Sequence, residues 1–140
     1  MAGTGLTLRF EVTIDHKVDL GNWTKCEGLT VEWELQEYRE GGLNDYVHRL
    51  PGRRKFQNIK LTRPIDGASR QVAAWISKVQ GPAAGHTAQI AVLDAAGEAV
   101  VVWDVIDIWP TRWTGPNMDV NGKDIAFETL ELAHNGFSVA

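Results

Sequence analysis

Apolar and polar residues alternate over much of the chain, which is the pattern of β-strands with one buried face. The even positions of residues 6–14 are apolar, and so are the odd positions of residues 29–35, after a turn-rich stretch at residues 20–28. We therefore predict two half-buried strands, the second with an acidic outer face. Their apolar positions are Leu6, Leu8, Phe10, Val12 and Ile14, then Leu29, Val31, Trp33 and Leu35.

A long polar segment follows the second predicted strand. Residues 37–51 read EYREGGLNDYVHRLP, and we predict a glycine-hinged loop at about residues 37–46. The returning segment is expected to break at the turn signal Pro51-Gly52 and to resume with Ile59 and Leu61 facing the core.

The apolar period changes to that of a helix at residues 69–80. Val72, Ile76 and Val79 form one apolar stripe, which Gly81-Pro82 ends. This is the only helix that the sequence predicts.

Three further strands are predicted after the helix, at residues 87–94, 99–109 and 124–133. In the last of them the apolar phase shifts between Phe127 and Leu130, which indicates a bulge or a bend at a barrel corner.

These elements predict a mainly β protein with one helix. The expected architecture is a β-barrel, or two packed antiparallel sheets, with a flanking α-helix. A chain of 140 residues is long enough to bury a core of its own, and no repeat or linker divides it. Residues 1–140 are therefore predicted to form a single domain.

Charge is divided unevenly on the two sides of the predicted loop. Residues 27–45 contain six acidic side chains and one basic one, whereas residues 46–63 contain six basic side chains and no acidic one. Cross-strand pairs within one molecule could satisfy these charges. Identical copies stacked head to tail would also bring the two surfaces together at every contact, and this second arrangement makes a polymer.

Composition argues against several functional classes. The net charge of −4 does not suit a protein that coats nucleic acid. No apolar run approaches the roughly 20 residues of a membrane span, and the N-terminal residues lack a signal-peptide pattern. We expect no membrane anchor and synthesis in the cytoplasm.

The sequence offers little support for an enzyme, a cofactor or a metal site. Asp104 and Asp107 lie three apart on a predicted strand and so face opposite ways. Cys26 is expected to be a small buried apolar residue rather than a nucleophile. The four histidines lack the spacing of metal ligands; they are His16, His48, His86 and His134.

Six tryptophans are many for this length, and two interpretations of them remain open. They could pack in a core or an interface, or they could line the cavity of a monomeric β-barrel that binds a small apolar molecule.

Several motifs resemble the tail tube family shared by contractile-tailed phages and phage-like contractile injection systems. Residues 109–116 read WPTRWTGP and residues 127–137 read FETLELAHNGF, which resemble the closing signature of that family. The segments KCEGLTVEWE, YREGGLN, LPGRRKF and NIKLTRPI resemble it in order and spacing. The resemblance extends from about Phe10 to Phe137.

The resemblance implies a structural, non-enzymatic protein. Its subunits would form hexameric rings that stack into a hollow tube inside a contractile sheath, with baseplate, spike and tube-terminating proteins as further partners and DNA or an effector protein as cargo. The particle could be released or docked at a membrane. A tube of type VI secretion, of the haemolysin-coregulated-protein kind, remains an alternative with the same fold.

The resemblance also suggests where subunits meet. The extended loop would supply the stacking contacts, and arginines of the return segment would pair with acids of the next subunit. Glu128, Glu131 and His134 of the terminal signature could make ring contacts, although they could equally be the exposed half of an alternating strand. The loop and arginine candidates are Tyr38, Arg39, Glu40, Gly41, Gly42, Leu43 and Asn44, then Arg49, Arg53 and Arg54.

Overall fold

The computed structural model describes residues 8–38, 48–79, 85–115, 121 and 126–140. Within these ranges the chain forms eleven strands and one helix, α1 (Ser69–Lys78). The prediction of a mainly β protein with one helix is confirmed. The strands are β1 (Arg9–Ile14), β2 (Val18–Trp23), β3 (Lys25–Glu27), β4 (Val31–Tyr38), β5 (His48–Phe56), β6 (Ile59–Pro64), β7 (Ala88–Leu93), β8 (Ala99–Ile106), β9 (Trp109–Thr114), β10 (Phe127–Ala133) and β11 (Gly136–Val139).

The strands form two larger antiparallel sheets and a separate ribbon. One sheet has the order β11-β8-β7-β1-β2 and the other has the order β3-β6-β10-β9, while among the described strands β4 pairs with β5 alone. The chain crosses between the larger sheets four times, from β2 to β3, from β6 through α1 to β7, from β8 to β9 and from β10 to β11. Strands that change sheets at corners in this way enclose a shared core.

The core lies between the two sheets and is covered on one side by α1. Val72 and Trp75 of the helix are buried against it, as are Ile59 and Leu61 of β6, which confirms the predicted inward face of that segment. The rest of the core comes from Ile108, between β8 and β9, and from inward positions of both sheets: Val12, Ile14, Leu20, Trp23, Ala88, Ile90, Val105, Leu130 and Leu132.

The stretch at residues 20–28 is not a turn, contrary to the sequence prediction. The turn comes earlier, at Asp15 and His16, whose φ angles are 54° and 57°, and β2 then pairs with β1. Leu20 and Trp23 are both buried although they lie three apart. The pairing register shifts by one residue between them, so a bulge in β2 hides the alternation that would have shown a strand.

The predicted break at Pro51-Gly52 is also wrong. β5 continues through these residues, and the strand ends only before Gln57. Trp33 lies opposite Arg54 and Leu35 opposite Pro51, so the return strand carries one extra residue between the two pairs. Proline and glycine are tolerated there because a bulge leaves a residue out of the ladder.

The C-terminal strands differ from the prediction in several ways. The strand predicted at residues 99–109 ends at Ile106, before Asp107 with a φ of 53°, and β9 and β11 were not predicted. The apolar phase of β10 does not shift, because Glu128 occupies the inward position before Leu130 and leaves Phe127 exposed. A register irregularity does occur, between β10 and β9 near Glu131.

Candidate subunit interface

The β4–β5 ribbon exposes large apolar side chains. Trp33 and Leu35 of β4 have 54% and 60% of their surface exposed. Arg54 lies directly opposite Trp33, and residues paired in this way share a face of the ribbon. No described part of the chain covers this apolar face.

Charged groups of the ribbon partly satisfy one another. Lys55 Nζ lies 2.8 Å from Glu34 Oε1, and this hydrogen bond raises the pKa of Lys55. Gln57 donates a 3.3 Å hydrogen bond to Glu32, and Glu37 stands opposite Arg49 in the strand register. At least one acidic side chain of the first segment is therefore paired with a basic side chain of the second within the same molecule.

The ribbon also carries four of the ten predicted stacking residues. Tyr38 is the last residue of β4 and pairs with His48, and Arg49 lies within β5. Arg53 and Arg54 are exposed. The loop candidates lie outside the described residues, and contacts of all these residues with another subunit stay a prediction. The loop candidates are Arg39, Glu40, Gly41, Gly42, Leu43 and Asn44.

His134 joins the base of the ribbon to the core. Its Nε2 donates to the Gln57 carbonyl oxygen at 2.9 Å, and its Nδ1 accepts from the Gly136 N–H at 3.2 Å. The ring also packs against Phe56 and Phe137, with centroid distances of 5.4 and 6.0 Å. Burial lowers the pKa of His134, which favours the neutral ring. The alternative of an exposed position is wrong for this residue.

Glu128 is likewise buried, and its carboxylate contacts three other elements. Oε1 accepts hydrogen bonds from Arg63 Nε of β6 at 2.5 Å and from Ser69 Oγ of α1 at 2.7 Å. Oε2 accepts from Trp113 Nε1 of β9 at 3.2 Å. The alternative of an exposed position is wrong for Glu128 too.

Arg63 connects this carboxylate to the other sheet. Its Nη1 donates to the carbonyl oxygens of Leu20 and Asn22 in β2, at 2.6 and 3.2 Å. The guanidinium group lies over the Trp23 ring, 3.9 Å from its centroid. The Arg63 side chain, which belongs to the four-stranded sheet, is thus hydrogen-bonded to the backbone of the five-stranded sheet.

Glu131 differs from its two neighbours in the terminal signature, because it lies on the outer face of its sheet. Its register partners are Arg112 of β9 and Lys60 of β6, and Lys60 in turn stands opposite Glu27 of β3. Charges alternate along this row, which stabilises a sheet face in water. Glu131 is half-buried, and its place in this row agrees with the alternative that it belongs to the outward half of an alternating strand.

Sequence reasoning did not single out Arg63, Trp113 or the exposed Trp33 as functional candidates. A signal existed for the buried pair. Arg63 continues the inward positions of Ile59 and Leu61, and Glu128 precedes Leu130 in phase. Charged residues in the inward phase of two paired strands indicate a buried ion pair.

A surface cleft of about 320 Å³ lies between α1 and the turn that joins β1 to β2. His86 Nδ1 lies 2.8 Å from Asp15 Oδ2, and the Thr87 N–H donates to Asp15 Oδ1 at 2.8 Å. Partial burial acts to raise the pKa of Asp15, but these two contacts outweigh it, so the pKa is lowered. The cleft is also lined by Val18, Gln71, Ala74, Trp75, Lys78 and Val79.

This cleft opens at the surface beside Trp75, a residue of the core. In the described ranges, no three or more His, Cys, Asp or Glu side chains converge as a metal site would require. The described part of the chain also contains no helix with the length and apolar character needed to cross a membrane.

Solved structures that share this fold include chains of contractile injection systems. A chain of the PVC sheath–tube complex of an extracellular contractile injection system, in its extended state, has a TM-score of 0.75 and 24% identity, over 94% of this chain and 88% of that chain. A chain of the anti-feeding prophage cap, described as the AFP tube terminating cap, has a TM-score of 0.71 and 26% identity, over 94% and 87%. Hcp1 from Flavobacterium johnsoniae has a TM-score of 0.53 and 11% identity, over 94% of each chain.

The sequence itself identifies the family. No curated protein matches the chain significantly. The family model of the T4-like virus tail tube protein gp19 matches residues 6–138, a range that includes all but one of the strand residues and the whole helix. The resemblance seen in the motifs is confirmed, and the chain belongs to the family of the T4-like virus tail tube protein gp19.

Proposed function

We propose that this tail tube protein is the structural subunit of the inner tube of a phage-tail-like contractile injection system or of a phage tail. Subunits close into hexameric rings, and the rings stack head to tail into a hollow tube. Contraction of the sheath expels the tube, while the subunit itself catalyses nothing. Stable contacts between subunits are then the property that the sequence must encode.

The exposed apolar face of the β4–β5 ribbon carries this proposal. A ribbon of two strands outside the main sheets gains little stability from its own packing. Exposed Trp33 and Leu35 are characteristic of a surface that another protein covers. A second copy of the chain is the partner that family membership supports.

Other components follow from the same proposal. A sheath protein would surround the tube, and baseplate, spike and tube-terminating proteins would contact its ends. Similarity to chains from a sheath–tube complex and from a tube terminating cap supports these partners. The lumen would hold DNA or an effector protein, and the tube would assemble in the cytoplasm before it becomes part of a particle.

Electron microscopy of the purified chain tests the proposal. Negative-stain images at high concentration are expected to show annular particles or hollow rods of constant width. Trp33→Ser combined with Leu35→Ser should abolish them and leave a folded monomer. The matched control replaces two exposed apolar residues outside the ribbon, Val100→Ser and Ile65→Ser, and should assemble as the wild type does.

Two results would contradict the proposal. A wild-type chain that stays monomeric even when added to a preassembled baseplate would favour the monomeric small-molecule-binding barrel. Normal assembly by the Trp33 and Leu35 variant would remove the ribbon from the interface. For the alternative of a type VI secretion tube, the lower TM-score of Hcp1 supports placing this chain in the phage-like branch.

A further inference from the structure

The Arg63–Glu128 ion pair lies inside the domain and plays no part in the proposed interface of the ribbon. The side chains of Arg63 and Glu128 are 1% and 0% exposed. Charged groups are rarely buried to this degree, because both lose their hydration.

The hydrogen bonds of this cluster do not fully compensate for the lost hydration. Within the described residues, Arg63 Nη2 and the adjacent Trp23 Nε1 are buried without a hydrogen-bond partner. A buried pair in this condition is a poor source of stability, and apolar side chains of similar volume often serve the fold equally well. Stability alone therefore does not explain the pair.

Both ends of the cluster contact edge strands. Arg63 donates hydrogen bonds to the carbonyl oxygens of Leu20 and Asn22 in β2, which forms one edge of the five-stranded sheet. Glu128 holds the indole N–H of Trp113 in β9, which forms one edge of the four-stranded sheet. Edge strands are the positions at which a sheet can pair with another chain.

The cluster contacts the two edges in different ways. In β2, Arg63 donates directly to two backbone carbonyls and so fixes the backbone of that edge. In β9, by contrast, the cluster holds only the Trp113 side chain, and no described strand pairs with the outer backbone edge. Trp113 also remains 39% exposed, so a group fixed from inside the domain forms part of its surface.

We propose that the Arg63–Glu128 pair is a positioning device for subunit association. It fixes the backbone of the β2 edge and holds the β9 edge in the conformation that a second copy of this chain binds. The inference rests on the proposed function, since it requires self-assembly. The pair contributes to association and to the order of β9 rather than to the stability of the isolated domain.

The first test replaces the pair by apolar side chains, Arg63→Met with Glu128→Leu. The control, Arg70→Met with Glu98→Leu, makes the same changes at two exposed positions. The variant with both apolar replacements, Arg63→Met and Glu128→Leu, is called the paired variant. It should unfold at a denaturant concentration equal to or higher than that of the wild type. Its concentration for half-assembly, measured by sedimentation velocity, should rise by at least about tenfold, and the control should match the wild type.

The second test needs no assembly. Hydrogen exchange of the dilute monomer, followed by mass spectrometry, should be faster over residues 109–114 in the paired variant and unchanged over residues 88–93 of the core. Trp113→Phe, which removes the indole N–H together with part of the ring, should also weaken assembly without loss of stability. A purely structural role for the pair would not produce this local change in a domain of undiminished stability.

The outcomes separate the two proposals. Failure of the wild type to assemble counts against the tube function, and the exchange data still decide the role of the pair. Three results would each overturn the positioning role. They are assembly of the paired variant at the same concentration as the wild type, unchanged hydrogen exchange in β9, and failure of the paired variant to fold.

Discussion

Gly21 shows how a missing side chain allows a buried charge to reach its partners. Its φ is 85°, and a Cβ at this position would lie 2.7 Å from Arg63 Nη1 and 2.7 Å from the Ala68 Cβ. Arg63 reaches the carbonyls on both sides of Gly21 because no side chain stands between them.

Replacement of this glycine should therefore displace Arg63. Gly97 is a matched control, since its φ is also 85° but a Cβ there would lie 3.8 Å from its nearest neighbouring atom. Gly97→Ala should cost about 1 kcal/mol of unfolding free energy for the strained backbone. Gly21→Ala should cost at least about 2 kcal/mol more, because it also disrupts a buried ion pair. Urea denaturation measures both, and equal losses would contradict the packing role of Gly21.

Cys26 is the second residue whose chemistry follows from its surroundings. Burial, and to a lesser degree the neighbouring Glu27, raises its pKa to about 11. The side chain packs against the core, as expected for a small apolar residue.

The raised pKa predicts an unreactive thiol. Near about pH 8, alkylation by iodoacetamide should be at least about tenfold slower in the folded protein than in the urea-unfolded chain, because only the thiolate reacts. Mass spectrometry over time measures both rates. Equal rates would show that the folded domain exposes this thiol.

At the scale of elements, the ribbon exposes apolar and basic side chains on two strands that lie outside the main sheets. Trp33, Leu35, Arg53 and Arg54 are all exposed there. Apolar contacts provide most of the free energy of an interface, while charges govern partner choice and the rate of association.

Reversal of charge on β5 should weaken stacking and leave the fold intact. For Arg53→Glu combined with Arg54→Glu, we expect the concentration for half-assembly to rise by about tenfold or more, with unchanged unfolding. The control reverses Arg70 and Lys78 on the exposed side of α1. Sedimentation at several salt concentrations gives the comparison, and normal stacking by the β5 variant would refute the electrostatic contribution.

Single elements were predictable where alternation is regular. Residues 88–93 match their predicted strand, and α1 ends two residues before the predicted limit. The errors at β2 and β5 arise where bulges interrupt the period of two. A bulge is favoured by contacts between strands, so it leaves no clear local pattern.

At the scale of the whole molecule, His134 connects three parts of the domain. It lies at the corner between β10 and β11, and it bonds to Gln57 at the base of the ribbon. The neutral ring fits this site, since Nδ1 accepts a hydrogen bond from Gly136.

Acidification should therefore lower the stability of the domain. Because the pKa of His134 is lowered in the folded state, the unfolded chain binds a proton first as the pH falls below about 6.5. The unfolding free energy should fall from about pH 7.5 to about pH 5.5, by no more than about 1.4 kcal/mol per pH unit from this group. This window lies above the range in which Asp15, with its lowered pKa, loses its charge.

His134→Gln isolates this contribution. The variant should be less stable at neutral pH, and its unfolding free energy should depend less on pH over the same window. His16→Gln, at an exposed turn position, serves as the control. An unchanged pH dependence in the His134 variant would assign the effect to other groups.

The sequence by itself determined the fold class, the single helix, the core positions of the regular strands and the tail tube family. These features depend on local periodicity and on motifs that are read along the chain. The sequence also indicated the charged and glycine-rich segment between β4 and β5, although the contacts proposed for it require a second subunit.

Only the tertiary structure decided which polar residues are buried and which apolar ones are exposed. Alternation along β4 gives no sign that Trp33 and Leu35 lack a covering layer, because cover comes from elements distant in sequence. Arg63 and Glu128 are 65 residues apart, and although each lies in phase with the apolar residues of its own strand, nothing in either strand names the other as its partner. Burial is a property of the assembled sheets, and for that reason the two charges became recognisable as a pair only when β6 and β10 were placed side by side.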